Sequence, residues 1–149
     1  MKKNLKKIKL VFWSLIVSFI LLVSYFIISS ELDTFRLIFP ILAILGFIFL
    51  LLGITLIFLT IKQKIKGKLK IFLILTGVSA ISPFVFSILH NFFYALAIIG
   101  ENITIIKSIM EFLHVSSFLI SIIASPIGFI VGAIGVIVLF TRKGGRHPA

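Results

Sequence analysis

The chain has 149 residues, of which 60% are hydrophobic, 13% are charged and none is cysteine; its 15 Lys and Arg outweigh 4 Asp and Glu, for a formal charge of +11. Soluble domains are about 45–50% apolar and about 25% charged, so this chain lacks the polar side chains to cover a globule in water. The composition excludes an ordinary soluble enzyme, a disordered tail and a disulfide-stapled secreted domain, and it speaks against nucleic-acid binding, because no polar domain presents the positive charge.

Charge-free windows set the elements. The first runs over residues 10–30, between Lys9 and Glu31. The second covers 37–61, the third 71–100 and the fourth 112–141. A helix needs about 20 apolar residues to cross a hydrocarbon core of about 30 Å. Each window holds one such helix, and their continuous apolar character disfavours a barrel, whose strands alternate. The predicted spans are residues 10–28, 37–61, 71–91 and 112–140. They are joined by short connections at 30–35 and 62–70 and a longer one at 100–111. Short connections place sequence neighbours side by side. The expected fold is therefore an all-α membrane protein, with residues 1–149 as one domain of four antiparallel transmembrane helices. The basic start and apolar first window also describe a signal peptide, but the run is too long and Ile27 or Ile28 occupies the place a cleavage site needs small. The segment is read as a retained helix.

In the first span Ser14 and Ser18 share one side of a bulky helix. The second is bulkier still, with Ala43, Gly46 and Gly53 on a narrow face. These two look like the lipid-facing half. The third carries Thr76, Ala80, Pro83, Ser87, His90 and Tyr94 at steps of three or four, and the fourth carries Ser117, Ser121, Ser125, Gly128, Gly132 and Gly135. Small residues let membrane helices approach and hydroxyls bond across them. The two stripes are expected to pack together, within the chain or between copies. Pro83 and Pro126 should each kink a helix.

Lysines at 2, 3, 6, 7 and 9, a second band at 62, 64, 66, 68 and 70, and Arg142, Lys143 and Arg146 fall on one side in this topology. The other side holds Arg36, Lys107 and all four acids: Glu31, Asp33, Glu101 and Glu111. Basic loops favour the cytoplasm, so both termini are expected there, in a multi-pass cell-membrane protein. The bands suit anchoring to anionic headgroups.

No charge lies in the middle of a span, which lowers the expectation of proton-driven transport. His90, Asn91, Glu111 and His114 are expected near the outer mouth. Two imidazoles and a carboxylate make His90, Glu111 and His114 a candidate metal set, or the histidines a proton-binding pair. No nucleophile elbow, phosphate loop or zinc-protease motif is present, and no cofactor is expected.

The segments Leu89-His90-Asn91-Phe92-Phe93-Tyr94 and Ser125-Pro126-Ile127-Gly128-Phe129-Ile130-Val131-Gly132-Ala133-Ile134-Gly135 resemble small four-helix membrane proteins of bacteria and archaea. Those carry Leu-His-Asn in one helix and Pro-Ile-Gly-Phe in the last. The resemblance implies a fold and no activity. Such proteins often have Cys where this chain has Ser125, so any thiol chemistry of theirs is absent here.

The function expected is non-enzymatic: an accessory, assembly or protective (immunity-type) membrane component, as a homo-oligomer or with other membrane proteins. One alternative is an oligomeric channel or transporter lined by hydroxyls of helices three and four. The other is an outer-face metal or proton sensor.

Overall fold

The computed structural model describes residues 2–31 and 35–144, with the side chains of 5–28 and 40–142. Asp33 and Arg146 lie outside the described residues, as do the side chains of Lys2, Lys3, Glu31, Arg36 and Lys143. Part of the connection expected at 30–35 is likewise outside them. Everything else is helix or short turn. Helix α1 is Lys2–Glu31, α2 is Phe35–Lys62 and α3 is Gly67–Ile99. A fourth rod is made of α4 (Thr104–Leu119), a π-helical segment (Ile120–Ala124) and α5 (Ser125–Gly144). Among the described residues, four helices are long and apolar enough to cross a membrane.

Three helix limits lie eight residues outside the expected spans: α1 begins at Lys2, and the two limits around the α3–α4 connection move. Helix α3 runs on through residues 92–99, which extend the span. The connection expected at 100–111 shrinks to 100–103, because α4 already begins at Thr104. The expected limits rest on charge alone. A helix end that protrudes from the hydrocarbon keeps its hydrogen bonds and accepts Lys107 and Glu111 at no penalty.

The turn between α2 and α3 follows a helix-stop rule with an unusual residue. Ile65 N–H donates to Thr60 O at 3.2 Å and Lys64 N–H to Ile61 O at 2.9 Å. This is the double closure that needs a left-handed residue after the helix. Lys64 occupies that position with φ 51°, where glycine is usual, and Gly67 opens α3 at φ 70°.

Helix α3 touches α2, α4 and α5. Its approach to α5 is set by glycine. A Cβ added at Gly132 would lie 2.8 Å from the backbone nitrogen of Thr76, and one at Gly128 would meet Ser79 Oγ at 2.5 Å. Gly135 faces the Phe72 ring. Thus the expected stripe contact forms inside the chain for Thr76, Gly128, Gly132 and Gly135. Ala80 packs against α2, where a Cβ on Gly53 would lie 3.0 Å from both the Ala80 methyl and Gly77 O.

The first two helices do not form a purely lipid-facing half. Ile8, Phe12 and Leu15 of α1 and Leu56 of α2 are fully buried. Phe129 of α5 stacks on Phe19 of α1 at 4.4 Å and lies 5.3 Å from Phe49 of α2. The cause is shape. Bulky rings fill the space beside the narrow α3–α5 seam, and dispersion rewards that filling even where lipid replaces water. Lys9 Nζ lies over the Phe140 ring, 5.0 Å from its centroid, so the start of α1 and the end of α5 share one end of the bundle.

Candidate functional site

Several hydroxyls in the helices are satisfied locally. Thr60 donates to Leu56 O, Thr76 to Phe72 O and Ser82 to Val78 O, each four residues back. Such bonding leaves no open polar group to lipid. Where α3 meets the fourth rod the pattern changes. Ser121 Oγ donates to Pro83 O at 3.1 Å and lies 3.2 Å from Ser87 Oγ. Ser125 Oγ donates to Ile120 O at 2.7 Å, and its backbone N–H reaches the same carbonyl.

These bonds explain the π segment. Pro126 has no N–H, so the preceding turn is already short of a donor. Widening that turn lets Ser125 bond five residues back, to Ile120, through backbone and side chain together. Sequence reading expects only a kink here. The wider turn is the form the disruption takes, as is frequent for π segments within α-helices.

Toward the other end of the seam lie the two histidines. Their rings are stacked, with centroids 3.9 Å apart and planes at 23°. His90 Nδ1 is 3.2 Å from His114 O, and His114 Nδ1 is 3.1 Å from His90 O. A backbone carbonyl only accepts, so both Nδ1 atoms carry hydrogen and donate. That fixes the tautomer and leaves Nε2 as the other functional atom of each ring. Phe118 lies beside His90 at 5.4 Å and Tyr94 beside His114 at 5.2 Å, centroid to centroid.

A cavity of about 420 Å³ adjoins His114. Tyr94, Ala97 and Ile98 of α3 form one wall, and Glu101 of the turn stands at its rim. Lys107, Glu111 and Val115 of α4 form the other wall. The two expected histidines are therefore together, and Glu111 lies on the cavity wall near one of them. Asn91 does not join them; its side chain donates back to Ser87 O at 2.8 Å. Among the described residues, no group of three His, Asp or Glu side chains gathers to hold a metal ion. The expected set of His90, Glu111 and His114 is thus not assembled as a metal centre. The carbonyl bonds aim the rings at each other's helix.

Sequence reasoning missed the cavity walls. Lys107 counted only as an outer charge and Tyr94 only as the end of a stripe. The available signal was that His114 continues the Ser117–Ser121–Ser125 line toward the N-terminus, as His90 and Tyr94 continue the line of α3. Two aligned lines place their last members opposite each other.

No family model, curated protein or solved structure matches this chain.

Proposed function

We propose that this chain is a polytopic membrane protein whose four helices cross antiparallel, with both ends in the cytoplasm, and that it acts without enzymatic chemistry. Its role is that of an accessory, assembly or protective component. It packs by shape against other membrane components or copies of itself, among anionic headgroups and without nucleic acid. The supporting observation is the use made of the polar groups. The hydroxyls of Thr76, Ser121 and Ser125 bond to backbone carbonyls within the chain, while large apolar side chains dominate the outward surface. Such a surface offers lipid and protein partners dispersion contacts. The Lys9–Phe140 contact and the lysines of the α2–α3 turn support the orientation, through the preference of basic loops for the cytoplasm.

The test is purification in mild detergent from the native membrane. A stable homo-oligomer or a stoichiometric membrane partner is expected. A strictly monomeric protein that brings nothing with it removes this role.

A second reading is favoured by the mutual bonds of His90 and His114. It makes that end of the bundle a sensing site at the outer face. The channel reading draws less support, since the hydroxyls of Ser87 and Ser121 that it needs are closed into the contact between α3 and the π segment.

A further inference from the structure

We propose that the cavity beside His114 binds a zwitterionic headgroup, a primary ammonium joined to a phosphate as in an ethanolamine phospholipid. This inference rests on the membrane reading above and is independent of the accessory role.

Charge narrows the ligand. The cavity carries two carboxylates, Glu101 and Glu111, and one ammonium, Lys107. Among the described residues no ion pair joins them. A lone anion would face both acids. A lone cation would face Lys107. A neutral molecule would leave all three charges unmatched. A ligand carrying both signs a few ångströms apart meets each with its opposite. A primary ammonium has three donors, enough for two carboxylates and the Tyr94 hydroxyl. The Tyr94 ring adds an aromatic face of the kind that attracts organic cations. Lys107 is left for the phosphate.

Position supplies the second argument. At about 1.5 Å per residue, α3 is roughly 50 Å long, against a hydrocarbon core of about 30 Å. The ends of α3 therefore stand in the headgroup layers, and the cavity is built on one of those ends. Ile98 and Val115 line it and are both more than half exposed, so its apolar floor continues onto the lipid-facing surface. The cavity thus sets charged groups beside an apolar surface, as the junction of headgroup and acyl chains does. The volume suits a small ligand.

The experiment uses the full chain in detergent with an equimolar mixture of phosphatidylethanolamine and phosphatidylglycerol of identical acyl chains, read by native mass spectrometry. Retention of the ethanolamine lipid about tenfold above the glycerol lipid is expected. Glu101→Gln with Glu111→Gln, and separately Lys107→Gln, should each reduce that preference severalfold. All three residues are exposed, and unchanged thermal unfolding of the variants verifies the fold. Soluble phosphoethanolamine, followed by ¹⁵N-histidine NMR, forms a second arm. A saturable shift of His114 means that the headgroup suffices; lipid retention without that shift means that the tails are also needed. Either result supports the site. Equal retention of both lipids with no saturable shift, or a preference unchanged in all the variants, overturns it.

Discussion

His90 and His114 each donate a ring Nδ1–H to the other's backbone carbonyl, so α3 and α4 are clasped by two hydrogen bonds that run in opposite directions across one stacked pair. Both carbonyls also serve their own helices, which makes the clasp an addition to the helical ladder. The first prediction concerns tautomer and energy. In ¹⁵N NMR at neutral pH, both rings should show protonated Nδ1. A double-mutant cycle of His90→Phe and His114→Phe should give a coupling of about 1 kcal/mol, in the range of interhelical bonds within membranes. A coupling near zero, or an Nε2–H tautomer on either ring, contradicts the clasp.

Glycine positions should separate by what their missing Cβ would strike. Gly132→Ala pushes against the backbone of Thr76 and Phe72, which has nowhere to go. It should cost about 1–3 kcal/mol. Gly128→Ala meets a serine hydroxyl that can rotate and should cost less. A methyl added at Gly46 would meet nothing within 4 Å, so Gly46→Ala should stabilise, by up to about 1 kcal/mol of helix propensity. Reversible unfolding in mixed micelles ranks the three, and the order is the test.

The chain has no cysteine, so engineered pairs report without background. Ser87→Cys with Ser121→Cys should form a disulfide, since the native oxygens are 3.2 Å apart. Removing the exposed Ile123 from the π segment should restore an ordinary α-helix there and rotate α4 by about 100° relative to α5. The cross-link should then fail. Its survival would mean that the wide turn does not set the register of α4.

At the α2–α3 turn, Lys64 holds a left-handed conformation that suits glycine. Lys64→Gly should stabilise by about 1 kcal/mol, and Gly67→Ala should destabilise by a similar amount. Opposite signs in one thermal series support the geometry. Equal signs reject it.

Orientation is testable with single cysteines. Lys64→Cys should be labelled by an impermeant maleimide only after cells are opened, and Asn102→Cys in intact cells. Both residues are exposed turn positions, at opposite ends of α3. Labelling of both from the same side would overturn the proposed crossing.

Much of this was legible in the sequence because lipid imposes a simple length rule. Four charge-free windows became four helical rods, and Thr76, Gly128 and Gly132 met across the seam as their spacing required. Helix ends were less legible, since a protruding end tolerates Lys107 and Glu111 and so hides its limit. The contact of Ala80 with Gly53 of α2 was not legible, because a stripe records smallness and not which helices take advantage of it. The histidines lie opposite each other, as expected, but spacing alone does not reveal that each ring bonds the other's carbonyl. The π segment was legible only as a defect at Pro126.

The wide turn at Ile120–Ala124 has one more consequence. Its extra residue re-phases the fourth rod, so that each half keeps its own register against α3: His114 meets the ring of His90, while Gly132 meets the backbone of Thr76.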